Sequence, residues 1–294
     1  MSNNSRVALA TIVSVTGAAV LLYSLHRYLK QREPRSAPNS AGLSDETDSG
    51  PVVPNLIKYG KPSLLQEIKK PGYYILYNAL TKTPVYVVEK LTRESLGEGV
   101  TLDRDGINFR SEESLKSMKS SNADYTGSGF DRGHMAAAAN YTGNEDAVSE
   151  TFTLGNVVPQ FPACNRGNWK TIENHARALA RKGAVVYVYS GPLYIPQHSA
   201  GAGEKYVIYR VIGDNTVAVP THFFKILVTE PARVEPGESG NAPKKARKLG
   251  VEVTCYLVEN SPNTQPKGER EMRVDLKHIE MWSGLLFEKL HKFL

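Results

Sequence analysis

The sequence predicts an α+β fold, in which a sheet is flanked by helices. Five short runs of β-branched and aromatic residues are typical of strands, and two longer stretches carry apolar residues at helical spacing. Strands and helices do not alternate regularly along the chain, and this disfavours a doubly wound parallel sheet. The five predicted strands are Val85–Val88, Ala184–Tyr189, Tyr206–Ile212, His222–Val228 and Val251–Val258.

The two helical stretches lie in the middle and at the end of the chain. Trp169–Lys182 has apolar residues three and four positions apart, which predicts an amphipathic helix that ends before Gly183. Val274–Leu290 predicts a second helix, and Gly284 is a point at which that helix can be interrupted.

The composition is that of an ordinary soluble globular protein, with 40% hydrophobic and 22% charged residues in 294. A chain of this length buries a sizeable core without a disulfide or metal staple. Its two cysteines, Cys164 and Cys255, form neither a zinc-binding pattern nor a disulfide framework. The net charge of +6 favours a polyanionic partner, although many basic domains bind none.

The first 35 residues predict a targeting or membrane-anchoring leader. Val7–Leu25 contains no charge and is long enough to cross about 30 Å of hydrocarbon as a helix. A cleaved secretory signal carries its positive charge before the apolar run, whereas here most of it follows, and no acid precedes Glu33. The pattern favours a mitochondrial leader with a membrane-anchoring element. The alternative is an uncleaved signal anchor, which would keep the rest of the protein in the cytosol.

Residues 36–54 are rich in serine, proline, asparagine, glycine and aspartate and predict a flexible linker. The remaining residues, 55–294, are predicted to form one domain.

The motif with the clearest chemical meaning is Asp131-Arg132-Gly133-His134. A histidine with a pKa near neutrality can take a proton from an attacking water, and an arginine can hold a phosphate. In an extended segment, Arg132 and His134 would project from the same face, and Gly133 would allow a close backbone approach or an unusual turn. The motif therefore predicts hydrolysis of a phosphodiester.

Asn165 and Glu173 complete the predicted site from the region of the amphipathic helix. Eight residues of helix bring two side chains within about 80° of each other. The amide oxygen of Asn165 is a ligand that suits Mg²⁺, which keeps several of its own waters. Glu173 can orient those waters.

The sequence resembles the DNA/RNA non-specific endonuclease family, and within it the mitochondrial endonuclease G branch. The hallmark Asp-Arg-Gly-His of that family stands here at 131–134, and the similarity extends over roughly residues 55 to 290. Other matching segments are Asn122–Tyr125, Ala136–Asn140, Asn156–Gln160, Gly191–Tyr194 and Ser283–Phe287.

The resemblance implies roles for individual residues. The catalytic histidine of the family falls on His134 and its phosphate-binding arginine on Arg132. Its metal-ligating asparagine falls on Asn165, the acid that positions the metal's waters on Glu173, and a supporting asparagine on Asn156.

Two further positions follow from the resemblance. Asp131 is expected to anchor the motif strand without reacting, and an upstream arginine that contacts the transition state corresponds to Arg110. The chain departs from the usual pattern at Gly155, Cys164, Arg166 and Asn168. These departures remove no reacting group, but they bear on rate and substrate preference, and Cys164 beside the ligand is expected to make activity sensitive to oxidation.

The fold implied is a ββα-metal finger embedded in a mixed, mainly antiparallel sheet with flanking helices. The implied activity is Mg²⁺- or Mn²⁺-dependent endonucleolytic hydrolysis of DNA and RNA that leaves 5′-phosphate ends. A homodimer in the mitochondrial intermembrane space is also implied. Two alternatives stay open: an exonuclease of the same superfamily, and a catalytically silent, membrane-tethered nucleic-acid binder.

Overall fold

The computed structural model describes residues 63–97, 106–116, 118–198, 203–231 and 250–294. Within these ranges no helix is long and apolar enough to cross a membrane. The predicted leader with its apolar stretch Val7–Leu25, the linker over 36–54 and the predicted start of the domain lie outside the described residues.

A seven-stranded sheet forms the centre of the described domain, with the strand order β1-β2-β3-β6-β11-β12-β13. All neighbouring strands in it are antiparallel. The sheet and its helices confirm the predicted α+β class. The strands of this sheet are β1 Leu65–Lys70, β2 Tyr73–Asn78, β3 Thr83–Leu91, β6 Val185–Leu193, β11 His222–Glu230, β12 Glu252–Glu259 and β13 Arg273–Val274.

Three two-stranded ladders and several helices complete the described part of the chain. The ladders pair β4 Asp131–His134 with β5 Val157–Gln160, β7 Gln197–His198 with β8 Lys205–Tyr206, and β9 Val211–Ile212 with β10 Val217–Ala218. The α-helices are α1 Asn122–Tyr125, α2 Glu145–Thr151, α3 Lys170–Arg181 and α4 Leu276–Ser283. Shorter 3-10 turns lie at Glu113–Leu115, Ala138–Asn140, Leu154–Asn156, Glu269–Met272 and Leu290–Phe293.

Four of the five predicted strands are confirmed, and the fifth, Tyr206–Ile212, is wrong. Only its two ends belong to strands, β8 and β9, and the residues between them are exposed and lie in no ladder. The run is apolar, but no neighbouring strand lies beside its middle to complete a ladder.

The second predicted helix is shorter than Val274–Leu290. It ends at Ser283 because Gly284 adopts a left-handed conformation with φ +70° and donates its N–H to the carbonyl of Glu280. This is the usual way in which a glycine ends a helix.

Strand β11, which lies between β6 and β12, is buried on both faces, and its side chains alternate between two cores. Phe223 and Leu227 pack in the core that contains residues of helix α3. Phe224 and Ile226 pack on the opposite face, in the core that contains residues of helix α4. Helix α3 is thereby held against β3, β6 and β11, on the face of the sheet that carries the predicted site.

Candidate active site

The Asp-Arg-Gly-His motif forms strand β4, which pairs with β5 so that Asp131 lies opposite Gln160 and His134 opposite Val157. The chain then passes through a wide helical turn, Cys164–Trp169, directly into α3. Two antiparallel strands followed by a helix are the ββα element that the resemblance implies.

Gly133 is required in this strand by a close approach. Its backbone is extended within β4, so the unusual turn allowed by the sequence does not occur. A β-carbon at this position would lie 2.1 Å from Oε1 of Gln160, far inside van der Waals contact. The side chain of Gln160 therefore fills the space that any other residue at 133 would need.

Arg132 and His134 project from the same face of β4, as an extended strand predicts. The ring of Phe109 lies 5.1 Å from the His134 ring, and 5.6 Å separates its centroid from Cζ of Arg132. Phe152 contacts both rings, with its centroid 4.9 Å from that of the imidazole and 5.0 Å from that of Phe109, and Tyr125 lies 5.5 Å from the guanidinium. These aromatic rings fix the orientation of both polar side chains.

Asn165 is held by the first residue of the motif. Its Nδ2 donates to Oδ2 of Asp131 over 2.9 Å. A carboxylate only accepts hydrogen bonds, so the amide nitrogen must face Asp131 and the carbonyl oxygen of Asn165 faces away from it. Asn165 is half-buried, and an amide oxygen turned away from a carboxylate is a suitable ligand for a hard divalent cation.

Trp169, at the end of the same turn, is bonded to the last residue of the motif. Its indole Nε1 donates to the carbonyl oxygen of His134 over 3.2 Å, and its side chain is fully buried. The turn is thus fastened to both ends of β4, at Asp131 and at His134. Three residues of extended strand span about 10 Å, so the two points of attachment are about that far apart along β4.

The turn does not have regular helical geometry. Gly167 has φ −104° and ψ −108°, outside the helical region, and α3 begins only at Lys170. The argument from helical spacing between Asn165 and Glu173 is therefore wrong, because residues 165 to 173 do not form one continuous helix. Glu173 lies in the first turn of α3 and is half-buried.

A buried polar cluster lies beside Glu173 and was not predicted from the sequence. Lys225, on β11, is fully buried and donates to Ser190 over 2.6 Å. Burial lowers its pKa, and the carboxylates of Glu173 and Glu89 oppose that shift. Its Nζ also lies 4.1 Å from the ring centroid of Trp169. The available signal was a lysine in the middle of the apolar run that forms β11.

Glu89, on β3, is the buried acid of this cluster. Its Oε1 accepts hydrogen bonds from Asn140 and from the hydroxyl of Tyr141, both at 2.9 Å. Burial raises the pKa of Glu89 to about 7, while the charge of Lys225 and the two hydrogen bonds act in the opposite direction.

Asn156 supports the segment that follows the motif. Its Oδ1 accepts from the N–H of Ala136, and its Nδ2 donates to the carbonyl oxygens of Ala136 and Thr151, at 2.9 to 3.0 Å. The side chain is fully buried and both of its polar atoms are engaged with backbone. These bonds fix the backbone of Ala136, two residues after the motif, and a role of Asn156 in the reaction stays a prediction.

Arg110 lies close to the site through its backbone, which exchanges hydrogen bonds with Phe152 and Leu154. Its guanidinium, however, donates to the carbonyl oxygen of Ser149 over 2.9 Å and forms an ion pair with Glu150. A contact between Arg110 and the substrate stays a prediction.

The expected sensitivity of Cys164 to oxidation is not supported by its surroundings. The side chain is fully buried, and burial raises the pKa of the thiol to about 12. The reactive form of cysteine is the thiolate, which is scarce at neutral pH under these conditions.

Comparison with known proteins gives the same assignment as the motif. Residues 53–292 match the family model of the DNA/RNA non-specific endonucleases. The chain belongs to this family. It is a nuclease, and therefore a hydrolase.

Individual members of the DNA/RNA non-specific endonuclease family align with most of the chain. The mitochondrial endonuclease G of Homo sapiens is 41% identical over 234 residues, which are 79% of this chain and 72% of the human protein. The mitochondrial nuclease of Saccharomyces cerevisiae is 30% identical over 292 residues, covering 96% of this chain and 85% of the yeast protein.

A solved structure of the family supports the fold. The crystal structure of the EndoG/EndoGI complex, described as showing the mechanism of EndoG inhibition, contains a chain with 36% identity and a TM-score of 0.66. The match covers 82% of this chain and 93% of that one.

Proposed function

We propose that this nuclease hydrolyses phosphodiester bonds within DNA and RNA strands, leaves 5′-phosphate ends and uses His134 as the general base. The observation that carries the proposal is the attachment of one turn to both ends of β4. Asn165 is bonded to Asp131 and Trp169 to His134, so the general base and the metal ligand of the proposal are held by one turn.

The imidazole of His134 is suited to take a proton from water. Phe109 and Phe152 pack on the ring, and the side chain is half-buried with its Nε2 shielded from solvent, so its orientation is fixed. A neutral imidazole near physiological pH is the usual general base for such a step.

The donor set fits a divalent cation, Mg²⁺ or Mn²⁺, bound through Asn165. The described residues contain no group of three or more histidine, cysteine, aspartate or glutamate side chains arranged to hold a metal, and the proposed site relies on a single amide oxygen and on waters. When bound, the cation would supply positive charge to the phosphoryl oxygens and the leaving oxygen. Glu173 would accept hydrogen bonds from the bound waters.

Arg132 would hold the phosphate at the face of β4 that also carries His134. Its guanidinium is oriented by the rings of Phe109 and Tyr125. Contacts to phosphate do not distinguish one base from another, so cleavage is expected to depend little on the nucleotide sequence. Arg110 would join Arg132 only after it leaves Glu150.

Digestion of closed circular DNA, with Mg²⁺ and with EDTA, tests the proposal. We expect cleavage with the metal only, and we expect His134→Ala to lower turnover by at least ~100-fold. His278→Ala is the matched control, because this histidine lies on α4, on the other face of the sheet. An unchanged rate in His134→Ala would contradict the assignment.

The same assay separates the two alternatives. An exonuclease cannot begin on a closed circle, so intact circles together with degraded linear DNA would favour it. Retention of DNA without cleavage in the presence of metal would favour a catalytically silent binder.

We also propose that the protein acts in mitochondria, in the intermembrane space, through its leader. Relatives that match most of this chain are named as mitochondrial, and the apolar stretch Val7–Leu25 has the length of a membrane anchor. Fractionation of mitochondria with and without residues 1–35 tests both statements. Import without that segment would contradict the role of the leader.

A homodimer is proposed from the resemblance, and one exposed surface supports it. Five large apolar residues near β8 and β9 expose between 41% and 65% of their area. Such a density of exposed apolar side chains is typical of interfaces. Light scattering should show a dimer that Ile208→Ser weakens and Leu286→Ser, at an exposed site elsewhere, does not. A monomeric native protein would contradict this. The five residues are Tyr206, Val207, Ile208, Tyr209 and Val211.

A further inference from the structure

Arg166 occupies an unusual position at the mouth of the site. It follows Asn165 directly, and its guanidinium donates to both oxygens of Asp131, from Nε over 3.0 Å and from Nη2 over 2.8 Å. Nevertheless, 72% of the side chain is exposed, compared with 20% for Asp131. The ion pair therefore holds the guanidinium in place while leaving most of it in solvent.

The pairing leaves part of the guanidinium available. An arginine side chain has five N–H donors, and Asp131 accepts from two of them. The remaining three lie on the outer edge of the group, which includes Nη1 and the second hydrogen of Nη2. That edge has the geometry that binds two oxygens of one phosphate.

The ion pair also changes the electrostatics of the site. Without Arg166, the carboxylate of Asp131 would present a negative charge close to the path of a polyanion. With Arg166 in place, that charge is cancelled and the outer surface of the pair is a hydrogen-bond donor.

The side on which Arg166 lies indicates which phosphate it can reach. Arg166 and Asn165 donate to the same oxygen, Oδ2 of Asp131, so the guanidinium lies beside the proposed metal ligand. Arg132 projects from the next residue of β4, where side chains alternate in direction, so the two guanidinium groups are placed to contact different phosphates.

We propose that Arg166 binds a backbone phosphate next to the one that is cleaved, and that it neutralises Asp131 in the same contact. This inference rests on the proposed nuclease function. It makes Arg166 a substrate-binding residue that sets how the nucleic acid enters the site, in addition to Arg132.

The first test measures binding of a DNA duplex in EDTA, over a range of salt concentrations, for the native protein and for Arg166→Gln. Loss of one phosphate contact should lower the slope of log Kd against log salt by about 0.9 and weaken binding about eightfold at 0.1 M salt. Arg166→Lys should keep most of the slope, because the charge is retained.

Lys277→Gln is the matched control. Lys277 is 71% exposed and also pairs with an aspartate, Asp275, at 3.1 Å, but it lies on α4, on the other face of the sheet. The slope of log Kd against log salt for Lys277→Gln should equal that of the native protein. An unchanged slope in Arg166→Gln would overturn the proposal.

A second readout separates binding from general loosening of the turn. Direct titration with Mn²⁺, followed by electron paramagnetic resonance, should show equal or tighter metal binding in Arg166→Gln, because Asp131 loses its counter-charge near Asn165. Weaker binding of both DNA and Mn²⁺ would show a structural role only and would also overturn the proposal. Failure of the native protein to cleave circles would refute the proposed endonuclease activity separately, because neither binding measurement depends on cleavage.

Discussion

The contact between Asp131 and Asn165 makes a quantitative prediction for Asp131→Asn. The hydrogen bond of 2.9 Å from the Asn165 amide has a charged acceptor, the Asp131 carboxylate. Such bonds contribute about 1.5 to 3 kcal/mol to the stability of the arrangement they hold. An asparagine at 131 can present either its oxygen or its nitrogen, so the amide of Asn165 would lose its fixed orientation. At about 1.4 kcal/mol per factor of ten, metal affinity should fall by roughly 10- to 100-fold. Loss of a partner that orients a metal ligand has effects of this size.

Two measurements together test this prediction. Mn²⁺ titration gives the affinity directly, and the rate of circle cleavage against Mg²⁺ concentration gives the concentration for half-maximal activity. Both should shift by the same factor, while the rate at saturating metal stays within a few-fold of the native value, because His134 is unchanged. Asp146→Asn, at an exposed position on α2, is the control and should shift neither.

An unchanged affinity for Mn²⁺ in Asp131→Asn would refute the reasoning. It would show that the orientation of the Asn165 amide does not determine metal binding, either because the cation binds elsewhere or because the turn holds the amide without Asp131.

Three further predictions concern packing, pH and thiol reactivity. Gly133→Ala places a β-carbon against Gln160 and should lower the free energy of unfolding in urea by about 1 to 3 kcal/mol; Gln160→Ala in the same protein should restore part of it. The pKa of Glu89 rises from 4.5 to about 7 on folding, so its contribution to stability is present below pH 4.5 and is lost as pH rises towards 7. This shift lowers the free energy of unfolding by ~3 kcal/mol between those pH values. In urea unfolding at several pH values, the free energy of unfolding of Glu89→Gln should therefore depend less on pH than that of the native protein. Burial raises the pKa of Cys164 to about 12, so iodoacetamide at pH 8 should modify this thiol only after unfolding. Mass spectrometry detects the modification, and rapid labelling of the native protein would contradict the prediction.

The parts of the fold that the sequence predicts are those with a strong local pattern. The β-branched runs of β6, β11 and β12 and the amphipathic α3 follow from the spacing of their own residues. The hairpin of β1 and β2 was missed, although Pro71-Gly72 marks its turn and Gly72 adopts φ +91°. Only Ile68 of β1 is buried, so that strand has little apolar pattern and depends on its neighbour.

The candidate site also has parts that follow from local sequence and parts that depend on distant residues. The motif and the extended backbone of β4 are local, and the shared face of Arg132 and His134 followed from them. The bond between Asp131 and Asn165 joins residues 34 positions apart, and no spacing rule predicts it. Lys225 was overlooked for a related reason, because its partners come from two other strands, from the turn that contains Trp169 and from helix α3.

The bond from Trp169 to His134 has a practical consequence. The chain contains two tryptophans. The indole N–H of Trp169 donates to the carbonyl of His134, and the ammonium of Lys225 lies over its ring. Indole emission responds to neighbouring charge and to hydrogen bonding, so replacing Trp282 by phenylalanine would leave Trp169 as the single tryptophan of the chain. Its signal would follow the arrival of a cation or a nucleic acid in real time, without any added label.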